Sequence, residues 1–135
     1  MISDVEAAYT AGILDGEGSI ALTRNRKDRW PSPQVSVSSN DRELLEWLRD
    51  RYGGSIVRKQ PRLPTHSLSF EWKLTDRRAL NLLRMVQKYL VIQRKIQRAD
   101  LLLKDYLDCT PRNGRYSRDM IERKQILISQ FASLP

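Results

Sequence analysis

Apolar positions recur along the chain with two alternating periods, three to four residues apart in some stretches and two apart in others. Val5, Ala8, Tyr9, Gly12 and Ile13 predict a helix over about residues 4–15, opened by Ser3 or Asp4 with an early Glu6 and stopped at Gly16-Glu17-Gly18. Ile20 and Leu22 then alternate with Ala21 and Thr23. A basic run from Arg24 to Arg29 leads to Trp30-Pro31-Ser32-Pro33, and residues 34–39 resume the period of two, which predicts a hairpin. Asn40-Asp41 caps a helix with Leu44, Leu45, Trp47 and Leu48 on one stripe, ended by Gly53-Gly54. Residues 55–60, a turn at 61–64 and residues 67–74 predict a second hairpin. Thr75-Asp76 caps a third helix carrying Leu80, Leu83, Val86 and Leu90, and a fourth spans about residues 94–107 with Ile96, Leu101, Leu102 and Leu103. Residues 108–116 form a loop, and Ser117 opens a last helix through Ile121, Ile126 and Ile128. The order αββαββα plus C-terminal helices predicts an α+β fold in a single domain over residues 1–135. Residues 1–107 make its core, and 108–135 add a loop and C-terminal helix. The two αββ units are a weak internal echo.

The strands have two chemically distinct faces. One parity carries Ile20, Leu22, Val35, Val37, Leu68, Phe70, Trp72 and Leu74; the other carries Ala21, Thr23, Asn25, Lys27, Gln34, Ser36, Ser38, Ser67, Ser69, Glu71 and Lys73. Side chains alternate along a strand, so the first set can pack on helices while the second faces outward. A strand advances about 3.4 Å per residue, close to the roughly 3.4 Å rise of one DNA strand. A ribbon of about nine residues can therefore track roughly nine base pairs of a major groove.

Composition sharpens this picture. The 135 residues carry 24 Lys and Arg against 16 Asp and Glu, a net charge of +8 with a pI near 10.0, which points to a polyanionic partner. Hydrophobic residues make up 40% and mean hydropathy is −0.56, and no apolar run approaches the roughly 20 residues of a membrane span. Residues 1–6 are acidic and lack a signal-peptide profile, so the expectation is an intracellular protein, not secreted, in cytoplasm or organelle. Cys109 has only His66 as a companion, which excludes a Cys/His zinc cluster; any metal must be held by oxygen. His66 reads as a turn residue, and Trp30, Trp47 and Trp72 as packing at the ribbon end, helix core and strand core.

The chemistry concentrates in Tyr9-Thr10-Ala11-Gly12-Ile13-Leu14-Asp15-Gly16-Glu17-Gly18-Ser19-Ile20. Gly12 and Gly16 share one helix face and let a second helix approach closely. Asp15 and Glu17 lie at the helix C-terminus, where exposed carbonyls disfavour each carboxylate by roughly 0.3–1 kcal/mol unless something positive offsets them. A divalent cation fits, with Glu17 and the Gly16 carbonyl as oxygen ligands for a hard ion such as Mg²⁺. This stretch resembles the motif of the LAGLIDADG homing endonucleases and their maturase relatives. It departs at Thr10, where the family usually has Leu, and at Glu17, where Asp is commoner. The αββαββα order and the stretch Tyr89-Leu90, Lys95 and Ala99-Asp100-Leu101 resemble the family too.

The resemblance implies a LAGLIDADG homing endonuclease subunit with a curved antiparallel DNA-binding sheet. A single motif copy implies a homodimer that meets through Ala11, Gly12, Asp15 and Gly16 and brings two Glu17 side chains together. The implied activity is divalent-metal-dependent hydrolysis of both strands of double-stranded DNA at a long near-palindromic site. Mg²⁺ is the expected ion, with Mn²⁺ as an alternative and Ca²⁺ as a non-turnover substitute. Lys95, Ser39, Asn40 and Arg42 join Glu17 as expected catalytic residues. Expected DNA contacts are Ser19, Ala21, Thr23, Arg24, Asn25, Arg26, Lys27, Arg29, Gln34, Ser36, Ser38, Arg58, Lys59, Gln60, Ser67, Ser69, Glu71 and Lys73. The alternative is a non-cleaving RNA maturase or DNA-binding protein on the same scaffold. No membrane partner is expected.

Overall fold

A computed structural model describes residues 1–60, 63 and 68–135. The elements run α1 (Asp4–Glu17), β1 (Gly18–Thr23), β2 (Ser32–Ser39), α2 (Arg42–Tyr52), β3 (Ser55–Lys59), β4 (Ser69–Thr75), α3 (Asp76–Val86), α4 (Gln93–Asp105) and α5 (Arg118–Ser133), with short 3-10 turns at Gln87–Tyr89 and Leu107–Cys109. The α+β class and the αββαββα order are those expected from the hydrophobic pattern. The four strands form one antiparallel sheet in the order β1-β2-β4-β3, so the second strand of each hairpin lies at the centre.

Ile20, Val35, Val37, Trp72 and Leu74 bury one face of the sheet against Leu45 and Leu48 of α2, Leu80 and Leu83 of α3, and Leu102 of α4. Each such side chain taken from water stabilises the fold by roughly 1.5–3 kcal/mol. The Trp72 indole N–H donates to the Gly53 carbonyl at 2.8 Å, which locks the α2–β3 turn to the sheet. That turn needs glycine twice, since Gly53 and Gly54 have φ of 88° and 94°.

Several boundaries differ from expectation. Strand β1 ends at Thr23, so Asn25 and Lys27 sit in the exposed β1–β2 loop and not on a strand face. β2 starts two residues earlier than predicted, β4 starts at Ser69 and leaves Leu68 exposed outside it, and α3 stops at Val86 before Leu90. The predicted 61–64 turn, His66 and Ser67 lie outside the described residues, apart from Leu63.

Helix α1 has two apolar faces. Of the periodic positions that predicted it, Val5, Ala8, Tyr9 and Gly12 are exposed and Ile13 is half-buried, and the fully buried face is Ala7, Thr10, Ala11 and Leu14. With small or apolar residues on both sides, the period alone does not say which side the fold buries. Ser3 and Glu6 form a reciprocal capping box, with Glu6 N–H donating to the Ser3 hydroxyl at 3.1 Å and Ser3 N–H to the Glu6 carboxylate at 3.0 Å. Thr10 gives its proton to the Glu6 carbonyl at 2.9 Å, so Tyr52 donates to the Thr10 oxygen at 2.8 Å. The tyrosine therefore satisfies a hydroxyl standing where the family motif has Leu.

The C-terminal segment is built into the fold. Lys124 of α5 is fully buried; its ammonium donates to the Thr110 hydroxyl and lies 4.2 Å from the Tyr106 ring and 5.5 Å from the Tyr116 ring. Tyr116 in turn packs on Trp30 at the end of the first hairpin, at 5.8 Å between ring centres.

Candidate active site and nucleic-acid interface

α1 runs through Gly16 and Glu17, two residues beyond the predicted stop, and Gly18 N–H closes it on the Leu14 carbonyl. Gly18 has no room for a side chain: a Cβ there would stand 2.6 Å from Leu14 Cα. The helix therefore passes directly into β1 and holds Glu17 at the junction.

The two motif carboxylates have different fates. Asp15 turns back into the chain, accepting from Val91 N–H at 3.0 Å and Ile92 N–H at 3.1 Å just ahead of α4. Glu17 is exposed and makes no hydrogen bond or ion pair among the described residues. The offset that the helix end requires comes from Lys95. Its buried ammonium donates to the Leu14 carbonyl at 2.6 Å and the Asp15 carbonyl at 2.7 Å. Burial, and secondarily Arg94, hold Lys95 below the ordinary lysine pKa, while Asp15 and Glu17 oppose that shift. α1 and α4 thus clasp each other reciprocally, carboxylate to amides and ammonium to carbonyls. The Gly16 carbonyl receives no hydrogen bond among the described residues.

β1 and β2 are antiparallel with Gly18 opposite Val37, so the β2 exit, Ser38 to Asn40, lies at the same sheet end as Glu17. Outward parity collects Ser19, Ala21, Thr23, Gln34, Ser36, Ser38, Ser69, Glu71, Lys73 and Lys59, together with Ser55, Val57 and Thr75. Beside this face Asn25, Gln34, Ser55, Lys73, Thr75 and Arg78 help line a cavity of 340 Å³.

No protein-family model matches the chain. It is 31% identical over 48 residues to the intron-encoded RNA maturase bI4 of Saccharomyces cerevisiae (strain ATCC 204508 / S288c), covering 36% of this chain and 7% of that protein's length. Among solved structures it superposes on the homing endonuclease I-CvuI in complex with its target in the presence of Ca, with a TM-score of 0.75 at 18% identity over 98% of this chain and 83% of the other. The LAGLIDADG homing endonuclease I-GzeII in complex with its DNA target gives 0.70 at 21% identity, over 96% and 44%. The homing endonuclease I-TnaI gives 0.65 at 17%, over 97% and 90%. The fold is that of the LAGLIDADG homing endonucleases.

Within the LAGLIDADG fold, the expected site residues separate. Gly16 and Glu17 end α1, and Lys95 bonds the Leu14 and Asp15 carbonyls just before them. Ser39 instead spends its hydroxyl on the turn into α2, accepting from Asp41 N–H at 3.0 Å. Arg42 pairs with Glu46 at 2.9 Å and lies 5.2 Å from the Phe70 ring on the helix side of the sheet. Asn40 is exposed between them.

The expected dimer residues divide as well. Ala11 is fully buried within the chain and offers no surface to a partner, because it shares the inner face with Ala7 and Leu14. Asp15 is engaged with Val91 and Ile92. Gly12 and Gly16 are exposed and have open space around them.

Among the expected DNA contacts, Arg24, Arg26 and Arg29 lie with Asn25 and Lys27 in the exposed loop, and Gln60 just follows β3. Arg58 falls on the opposite parity, in register with Phe70. Ser55 and Val57 share the outward face without being among the expected contacts; the period of two along β3 joins both to Lys59.

Proposed function

We propose that this chain is one subunit of a homodimeric, site-specific DNA endonuclease that depends on a divalent metal and hydrolyses both strands at a long, near-palindromic target. The observation that carries this reading is Glu17, an exposed and unpaired carboxylate at the end of a helix whose neighbouring acid and carbonyls are fixed within the subunit. The DNA complexes of I-CvuI and I-GzeII support the choice of partner, as does the net charge of +8.

The donor set suits a hard cation, since an unpaired carboxylate and the free Gly16 carbonyl are both oxygen ligands. Among the described residues no three His, Cys, Asp or Glu side chains cluster as a metal site; the remaining ligands are to come from DNA and a second copy. A bound Mg²⁺ would stabilise the attacking and leaving oxygens of an in-line displacement at phosphorus. Asp15 and Lys95 act as positioning residues that hold the last turn of α1, and so Glu17, in place. Val5, Ala8, Tyr9, Gly12 and Gly16 form the outer face on which a second α1 seats, so that the two Glu17 carboxylates meet and one motif copy serves two strands. Incubation with Mg²⁺ and a library of long duplexes gives double-strand cuts that vanish in Glu17→Gln; intact DNA across the library contradicts the reading.

The maturase match favours a second reading, an RNA-binding splicing factor on the same scaffold. It predicts that Mg²⁺ alters affinity for structured RNA while duplex DNA remains uncut.

A further inference from the structure

The outward sheet face carries one carboxylate, Glu71, and one large aliphatic side chain, Val57, among its described residues. They are direct cross-strand partners in a row with Ser38. Val57 is 46% exposed although its outward neighbours are polar. Glu71, its side chain 21% exposed, lies 3.3 Å from Lys73 and 3.9 Å from the exposed Lys59, and accepts from the Ser38 hydroxyl at 3.5 Å. Lys59 also donates to Ser38 at 3.1 Å.

Both residues are costly on a face that meets a polyanion, unless the ligand rewards them. A carboxylate repels phosphate, and an exposed valine contributes no counterion release. The ion pairs to Lys59 and Lys73 and the Ser38 hydroxyl offset only part of this cost, since phosphates compete for the same partly exposed lysines. Major-groove edges supply the missing reward. The cytosine N4 amino group donates to a carboxylate, and the thymine methyl group offers apolar contact. Paired strands lie about 4.8 Å apart, against a base-pair rise of about 3.4 Å, so the two contacts fall within two base pairs of each other.

We propose that Glu71 and Val57 form a specificity pair that selects cytosine and thymine, within two base pairs of each other, in each half-site. This rests on the DNA endonuclease reading above. The test is selection from duplexes with randomised half-sites in Ca²⁺, with wild type, Glu71→Gln and Val57→Ala compared in parallel. Wild type enriches cytosine at one position about tenfold over guanine, with thymine within two pairs of it. Glu71→Gln loses the cytosine enrichment and keeps the thymine. Val57→Ala keeps the cytosine and binds thymine and deoxyuridine equally at the other position. The same selected sequence from all three proteins overturns the specificity pair and leaves the endonuclease reading standing. Failure of wild type to retain any duplex overturns both.

Discussion

The ammonium of Lys95 lies 2.6 Å from the carbonyl oxygen of Leu14, buried between α4 and the last turn of α1. A helix ending in Asp15-Gly16-Glu17 places two carboxylates where the helix dipole is already negative, and this lysine supplies the opposite charge from within the subunit. Its ammonium has three protons, two of which go to the Leu14 and Asp15 carbonyls.

Lys95→Met removes both charge-assisted bonds and leaves the Asp15 carbonyl without its partner, which destabilises the subunit by about 2–3 kcal/mol in urea denaturation. Because Lys95 is assigned a positioning role toward Glu17, the variant also lowers kcat for DNA cutting while KM for the same duplex stays near its wild-type value. A rise in KM with kcat unchanged would contradict that role.

Gly12 and Gly18 respond oppositely to the same substitution. A Cβ at Gly12 meets nothing within 4 Å, so Gly12→Ala is neutral or raises subunit stability by roughly 0.5–1 kcal/mol through helix propensity. Gly18→Ala drives a methyl group into Leu14 and costs about 1–3 kcal/mol. Gly12→Leu keeps the folded subunit but blocks close helix approach, so self-association and cutting are lost together. Thermal melts and sedimentation read the two effects separately.

Asp15→Asn keeps the side-chain size but replaces one acceptor oxygen with an NH₂ group facing a backbone N–H. Hydrogen exchange at Val91 and Ile92, protected by Asp15 in the native chain, accelerates, while exchange in the core strand β2 changes little. Equal acceleration throughout the chain would show that Asp15 does not act locally.

Lys124 gives a pH signature. Burial holds its pKa below the ordinary lysine value, and nearby Cys109 opposes that shift. The unfolded chain therefore binds this proton more tightly than the folded one. Below the folded-state pKa the whole penalty of burying the charge is present, and it is relieved as pH rises toward the unfolded value of 10.5. Stability of wild type relative to Lys124→Met thus increases with pH across that window. Tyr106 and Tyr116, whose pKa values burial raises, act in the opposite sense and are common to both proteins; Cys109, raised by burial but lowered by Lys124, rises further in Lys124→Met and so adds to the same difference. A flat difference curve would mean that Lys124 is solvated.

The element order and the two faces of the sheet were legible because strand alternation is a local signal: Ile20, Val35, Val37, Trp72 and Leu74 follow it into the core and Leu22 and Phe70 partly so, while Leu68, of the same parity, lies exposed before β4 begins. The inward face of α1 was not, because Val5, Tyr9 and Gly12 on one side and Ala7, Ala11 and Leu14 on the other are equally suited to packing. Glu17 could be singled out from the motif. The clasp of Asp15 and Lys95 could not, since it joins residues about eighty apart in sequence, and no local pattern records such a contact. Ser39 and Arg42 illustrate the same limit: a side chain at a strand–helix junction serves the turn or the helix as readily as a reaction, and only its partners decide.

The most direct measurement is the number of chains on one duplex. Sedimentation equilibrium with a selected near-palindromic DNA, with Ca²⁺ in place of Mg²⁺, is predicted to give two chains per duplex, with Gly12→Leu giving none. A single chain bound to a duplex that it cuts on both strands when Mg²⁺ is added would contradict the shared Glu17 centre.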